Sequence, residues 1–449
     1  MKIYFIGIGG IGVSALAQYY LEKSAIVSGS DLTASETTDF LKKKGVKIHI
    51  GEQKAKNVPK DIDLAVYSPA VNRGNPELRK CFEMQKKSKS LRVLSYPQAL
   101  GQLTKKYFTI AVSGTHGKST TASMLGLIME KAGLDPTVII GTKLKEFGET
   151  NFRMGRSKYL LIEADEWRAS FLNYFPNIII LTNIEKEHLD YYKNLKHILE
   201  TYRKYIKRLP ENGVLVANLD DKNIKKIIFG KNTAELNKIS IFNFQALKQK
   251  YEEKLKKLLK VPGEHNLINA LTALKTAQVL NIPDEIILCS LSEYCGAWRR
   301  FEEKEGKIGK TRFTLISDYG HHPSEITATM KAVNEKFKER KIWLVFQPHQ
   351  YQRTFYLFKD FLSALRKMKA EKIIITDIFD VAGRENEKMK KGVNAKKLAE
   401  KTGKENIIYL PREKIIGFLE KKLKGGEVLV IMGAGNIDEL FRELSTEKN

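Results

Sequence analysis

Short apolar runs alternate with segments of helical spacing along the whole chain, and this alternation carries the first information. Ile3–Ile6 reads as a strand, feeds a cluster of glycines and is followed by an apolar helix-like segment. AVYSPAV (65–71) reads as a late strand and loop of the same unit, and YFTIAVSG opens a fresh strand near Tyr107, before a helix ending near Gly133. KYLLIEADE and NIIILTNIEKEHLD are apolar strands that run into polar ends, and VPGEHNLINALTAL starts a helix. At EYCGAWRRFEEKEGK (293–307) a helical pattern ends in Gly296 and a charged stretch. Beyond it RFTLISD, KIWLVFQ, EKIIITD, NIIYL and GEVLVIM are five strand candidates separated by helix-length segments. Such a grammar predicts an α/β protein, its mainly parallel sheets covered by helices on both faces. The breaks place three domains at 1–104, 105–296 and 297–449.

Composition narrows the class. A length of 449 residues agrees with about three domains. No apolar run is long enough to span a bilayer. Lys2, the first apolar stretch and Ala15-Leu16-Ala17 loosely imitate a signal peptide, but the glycines inside the supposed apolar core argue against one. Cys81, Cys289 and Cys295 are scattered, with neither a disulfide framework nor zinc spacing, which suits a reducing cytoplasm. The formal charge of +25 admits nucleic acid, an anionic membrane surface or anionic small substrates. The lysines are dispersed, however, as in LKKKGVK, EMQKKSKS and KAEKIII. The densest cluster, KQKYEEKLKKLLK, has Leu255, Leu258 and Leu259 on one side and reads as a solvated helix face. No nucleic-acid module accompanies the charge, so neither nucleic acid nor membrane is expected as a partner.

Two loops carry chemistry. In GIGGIG, the glycines Gly7, Gly9, Gly10 and Gly12 follow a strand, and Asp31 lies nineteen residues past Gly12. This is the dinucleotide fingerprint, which fits a bound phosphate ester, NAD among the candidates; a purely structural glycine turn is the plain alternative. In AVSGTHGKSTTASML, Gly114, Thr115, His116, Gly117, Lys118, Ser119 and Thr120 sit between a strand and a helix. Backbone amides at a helix N-terminus cradle phosphates, a lysine reaches the β/γ oxygens, and a serine hydroxyl can ligate Mg²⁺. The usual first glycine falls at Val112, so the loop is a shorter variant, and it predicts nucleoside triphosphate binding. Two neighbouring strand ends deliver Glu163, Asp165, Glu166, Asn183 and His188, donors suited to Mg²⁺ or Mn²⁺. Taken singly each is an ordinary surface charge; three strand ends on one edge of a parallel sheet favour a site. Asn266 and Asn269 share a helix face, as adenine contacts or as caps.

GTHGKST, EADE, TNIEKEH, GEHNLINA, WRRFE, DYGHHPSE, FQPHQYQRT and MGAGN, in this order, resemble the Mur ligases over essentially the whole chain. The branch most alike joins L-alanine to UDP-N-acetylmuramate. The resemblance implies an N-terminal Rossmann-like domain for the UDP-sugar, a central ATPase and a C-terminal Rossmann-like domain for the amino acid. GIGGIG then holds a UDP diphosphate, with Asp31 near the uridine end and Ser68 beside it; NAD is excluded. A carboxylate attacks the γ-phosphate of ATP, giving an acyl phosphate and ADP, and the amine displaces phosphate. By this resemblance Lys118 neutralises phosphates, while Ser119, Glu163 and His188 serve Mg²⁺ or Mn²⁺. Asn266 and Asn269 contact adenine. Arg299 and Arg300 stand at a domain junction, where closure brings a guanidinium to the transferring phosphoryl group; an interdomain salt bridge is the alternative. Asp318, Tyr319, His321 and His322 follow one strand, with Pro323 at the first helical position, and His349, Gln350, Tyr351 and Arg353 follow another. Tyr319 and Arg353 are expected at the alanine, and His321 at the amine proton. Monomer and homodimer both remain open.

The chain departs from the family in three places. Trp167-Arg168 stand where Ser-Asp is usual, and Gln350 replaces an arginine. Residues 232–260 look short, which puts part of the central sheet in doubt. The first two admit glycine or serine as the amino acid. Other readings are the recycling ligase that attaches a tripeptide (its first loop usually has a cysteine), an NAD oxidoreductase, and a P-loop protein acting on nucleic acid.

Overall fold

The structure is a computed structural model that describes residues 1–88, 90–230, 234–381 and 387–446. The first sheet has five parallel strands in the spatial order Lys47–Ile50, Ile26–Asp31, Lys2–Ile6, Leu64–Tyr67, Arg92–Ser95. In Lys2–Ile6 only Lys2 is exposed, because helices cover both faces of a central strand. Tyr4, Ile6, Ala65, Leu78, Cys81 and Val93 form one core under this sheet. Burial pushes the Cys81 thiol up to about 12, so it is an inert apolar side chain.

The second sheet runs Ser240–Asn243, Val214–Ala217, Ile178–Leu181, Phe108–Ser113, Tyr159–Glu163, Thr137–Leu144, Thr150–Arg153, and only the last pair is antiparallel. Phe108–Ser113 lies between Ile178–Leu181 and Tyr159–Glu163, which brings the three polar strand ends side by side. Residues 231–233 lie outside the described residues, but the doubt over 232–260 resolves on Ser240–Asn243, a parallel edge strand in register with Val214–Ala217. The helix after the glycine loop, Lys118–Lys131, ends two residues short of Gly133.

The third sheet runs Glu302–Ile308, Thr311–Asp318, Val428–Met432, Ile342–Phe346, Lys372–Ile375, Ile407–Tyr409. Here the sequence pattern hid a strand. The charged stretch EEKEGKI is an antiparallel edge strand paired with Thr311–Asp318. It lacks an apolar run because its outward positions face water, and only Gly306 and Ile308 are buried. Behind the sheet, Phe346, Ile373 and Val430 anchor one core, while Leu315, Ile374 and Leu429 anchor the other.

The described residues fall into two compact units, Met1–Glu185 with Leu195–Tyr251 and Ala270–Leu291, and Lys186–Asn194 with Glu252–Asn269 and Ser292–Asn449. The first two sheets belong to the first unit and the third sheet to the second. No helix among the described residues is long and apolar enough to cross a membrane.

Candidate active site

In the first unit, Gly7 turns the chain at φ 77°, and the amides of Gly7 and Ile8 donate to Ser30 O at 2.9 and 3.0 Å. Asp31 closes back on the loop, its Oδ2 accepting from Gly9 N–H at 2.8 Å. A β-carbon on Gly9 would lie 2.9 Å from that carboxylate, so this glycine is required by Asp31. Ser68 flanks the turn, its amide donating to Ile6 O at 2.9 Å. Gly10 is the N-cap of the helix Ile11–Glu22, whose first turn includes Gly12, and makes no side-chain cap hydrogen bond.

The second loop is clamped to the neighbouring strand. His116 N–H donates to Asn183 Oδ1 at 2.9 Å, Asn183 Nδ2 donates to His116 O at 3.0 Å, and Glu185 N–H donates to Thr115 Oγ1 at 2.8 Å. Gly117 turns left-handed at φ 81° to start the helix that carries Ser119 and Thr120, both buried. Lys118 Nζ curls over the loop to Gly114 O at 2.6 Å and Glu166 Oε2 at 2.9 Å. Burial alone lowers its pKa, but Glu166, Asp165 and Glu163 reverse this and hold the ammonium above its ordinary range. Glu163, at the end of Tyr159–Glu163, lies against Gly141, where a side chain has no room. The unusual pair behind it is ordered, with Trp167 buried, Arg168 left-handed at φ 50° and its guanidinium over the indole at 4.9 Å.

In the second unit Arg299 is buried inside the C-terminal sheet. Its guanidinium donates to Gly433 O and Gly435 O and pairs with Asp438 at 3.4 Å. Those partners tie it into its own domain. Arg300 is more open, 4.0 Å from Glu325, and both guanidinium groups stack on the Tyr319 ring, at 5.2 and 5.0 Å. Asp318 accepts from Phe301 N–H, Gly320 N–H and Thr329 Oγ1, which makes it structural. Pro323 is indeed the first residue of its helix, and His322 caps it. Asn266, inside the helix Glu264–Val279, donates Nδ2 to Pro262 O at 2.7 Å, with Asn269 one turn on and buried.

Arg353 is also less free than expected. Its Nε pairs with Glu187 at 2.9 Å and its Nη1 donates to His349 O at 3.0 Å. Gln350 precedes it at φ 72°, its amide donating to Phe379 O. Burial would raise the Glu187 pKa, but Arg353 and the imidazoles of His188, His322 and His321 hold it well below the carboxylate range. His188 itself is left-handed at φ 53°, with Nδ1 4.0 Å from Glu187. Burial, then the Arg353 charge, lowers His321 to about 3, so this imidazole stays neutral. His265, lowered to about 4 by burial and then Arg300, and Glu187 were both missed in the sequence. One stood inside a helix start and the other beside His188, where a glutamate reads as surface charge.

A mainly parallel α/β chain with a glycine turn on one sheet and a lysine-bearing phosphate loop on the next defines a class, the nucleotide-dependent P-loop enzymes. Family models specify it further. Residues 2–108 match the Mur ligase family catalytic domain, 112–277 the Mur ligase middle domain and 299–435 the Mur ligase glutamate ligase domain. The chain belongs to the Mur ligase family. It is 41% identical to UDP-N-acetylmuramate–L-alanine ligase of Acetivibrio thermocellus, over 97% of this chain and 93% of that one. To the Aquifex aeolicus protein of the same name it is 37% identical, over 100% and 98%. Among solved structures, UDP-N-acetylmuramate-alanine ligase of Thermotoga maritima superposes with a TM-score of 0.75 at 26% identity, over 99% and 98%. A murein peptide ligase of Psychrobacter arcticus shares the fold at a TM-score of 0.68 and 22% identity, over 99% and 98%.

Proposed function

We propose that this protein is a UDP-N-acetylmuramate–L-alanine ligase, joining L-alanine to UDP-N-acetylmuramate with cleavage of ATP to ADP and phosphate in peptidoglycan precursor synthesis. The observation that carries this is agreement over the full chain, at 37–41% identity, with proteins named for that reaction. The boundaries 1–104, 105–296 and 297–449 follow from the same reading as UDP-sugar, ATP and amino-acid domains.

The chemistry asks for positioning and charge neutralisation more than for a nucleophilic side chain. The turn at Gly7, Gly9, Gly10 and Gly12, with Ser68, receives the diphosphate; Asp31 orders that turn. The amides of Gly114–Thr120 cradle the triphosphate, and Lys118 exchanges Glu166 for the β/γ oxygens, its raised pKa keeping it charged. Ser119 and Glu163 offer hard oxygen donors fitting Mg²⁺, and His188 is a further proposed ligand. When bound, the ion draws charge from the γ-phosphate oxygens. The sugar carboxylate attacks the γ-phosphorus and ADP leaves; the alanine amine then attacks the acyl carbon and phosphate leaves. Arg353 Nη2 holds the alanine carboxylate, Arg300 meets the substrate phosphate, and neutral His321 stands at the amine as a hydrogen-bond acceptor. Arg299 shapes the domain that presents them.

The test is incubation with ATP, UDP-N-acetylmuramate and L-alanine, glycine, L-serine or a murein tripeptide, with mass analysis of the product. L-Alanine addition with stoichiometric ADP is expected. Product only with the tripeptide, or with glycine or serine in preference, overturns the assignment.

A further inference from the structure

The helix Ile11–Glu22, which follows the GIGGIG turn, carries polar side chains on a buried face. Ser14 and Gln18 are 0% and 2% exposed, and with Ile11 they recur at the spacing of one helix face. Buried polar groups require partners, and the partner here is Asn151, 3% exposed on the edge strand Thr150–Arg153 of the second sheet. Asn151 Nδ2 donates to Ile11 O and, at 3.3 Å, to Ser14 Oγ, while its Oδ1 accepts from Gln18 Nε2 at 3.1 Å. Thr150 Oγ1 donates to Gln18 Oε1 at 2.9 Å, and the Ser14 hydroxyl donates to Ile11 O at 2.9 Å. Ile11 is the first residue of the helix, so this network grips it at the diphosphate turn itself. Beside the amides, the Phe152 ring meets Tyr19 edge-on at 6.5 Å, and Tyr19 Oη lies 3.2 Å from Tyr107 Oη, at the foot of the strand that leads to the phosphate loop. The other arm of the hairpin, Thr137–Leu144, pairs in parallel with Tyr159–Glu163, and its Gly141 abuts the Glu163 carboxylate without room for a side chain. All of these residues belong to one compact unit. The hairpin therefore stands between the two loops, bonded to the first through Asn151 and packed on the carboxylate edge of the second at Gly141.

Resting on the ligase reading above, we propose that Asn151 is a positioning residue that fixes the register of the diphosphate turn against the ATP-binding edge, so that the sugar carboxylate arrives in line with the γ-phosphorus. Apolar helix packing tolerates small slides and rotations, whereas an amide with both hydrogens and its oxygen engaged is satisfied in one arrangement. The two substrates are held on different sheets and the new bond forms between them. A displacement of about 1 Å therefore slows the transfer while leaving each binding site intact. In sequence the residue carries no signal, because an asparagine in a short strand reads as an ordinary surface position.

The test uses the full chain with Asn151→Ala and with the double variant Gln18→Leu/Asn151→Leu. The single variant strands the Gln18 amide and should melt earlier than wild type. The double variant strands no amide, since the Ser14 hydroxyl keeps Ile11 O, and its melting temperature should return toward wild type. Positional isotope exchange in labelled ATP with UDP-N-acetylmuramate reads acyl-phosphate formation, and calorimetry gives Kd for each of the two substrates separately. Exchange and kcat should fall roughly ten- to a hundred-fold in both variants, while both Kd values hold. Should Asn151→Ala not fold, the double variant carries the test. Exchange that recovers together with the melting temperature in the double variant would make the network merely structural and overturn the inference. Wild-type exchange in either variant, or a loss confined to one Kd, overturns it as well. A wild-type protein that shows no exchange and no product with UDP-N-acetylmuramate overturns the ligase reading and this inference together.

Discussion

Removing the carboxylate of Glu187 tests how the second unit is held. Its side chain is 8% exposed and that of Arg353 5%, with Oε1 and Nε 2.9 Å apart. In Glu187→Ala the guanidinium stays buried and keeps only His349 O and Nδ1 as partners. Stranding one member of a buried pair costs about 3–5 kcal/mol, far more than an exposed pair is worth. For a unit of this size each kcal/mol lowers the melting temperature by about 2–4 °C, so a loss of roughly 6–20 °C is expected. The assay is thermal and urea unfolding of wild type, Glu187→Ala, Glu187→Gln, Arg353→Met and the double variant Glu187→Met/Arg353→Met. Either single truncation should cost more than the double variant, which leaves no unpaired charge. Glu187→Gln should fall between, because its amide oxygen still accepts from Nε. The KM for L-alanine should rise in Glu187→Ala as well, since the guanidinium loses the partner that aims Nη2. A Glu187→Ala protein within about 1 kcal/mol of wild type, or a double variant less stable than both singles, refutes the reasoning.

Lys118→Ala should abolish ADP formation, and because Glu166 is 2% exposed and loses its cation, the variant should also unfold earlier than wild type; near-wild-type turnover would remove the ATP reading. Gln350→Arg should lower the KM for L-alanine roughly ten-fold by adding a second guanidinium beside Arg353, leaving the KM for ATP unmoved; unchanged alanine saturation would mean that position 350 faces away. Acid should weaken the fold below about pH 6.5, since His265 and His321 stay neutral when folded, down to about 4 and about 3, while the unfolded chain already takes up their protons. The sign agrees with the lowered Glu187 pKa, whose stabilisation is present above the ordinary carboxylate range and fades as pH falls. Urea unfolding of wild type and His265→Gln across pH 4 to 7 checks this, with a flatter profile expected for the variant; identical slopes would contradict it.

Much of this protein is legible in the local chemistry of its chain. The strands Phe108–Ser113, Tyr159–Glu163 and Ile178–Leu181 are continuous apolar runs because they are buried on both faces, and the glycine loops follow from backbone geometry that few other residues adopt. Their sharing one sheet edge could be anticipated from the parallel α/β grammar. Other features depend on partners far away in sequence. Glu302–Ile308 became a strand because Thr311–Asp318 offered it an edge, against its own charge pattern. Asp31 turned inward to Gly9, Arg299 to the carbonyls of Gly433 and Gly435, and Arg353 to Glu187. A lone arginine or aspartate reads the same in sequence whether it reaches for a substrate or satisfies a buried carbonyl, because a charge taken out of water must find a partner wherever the fold supplies one.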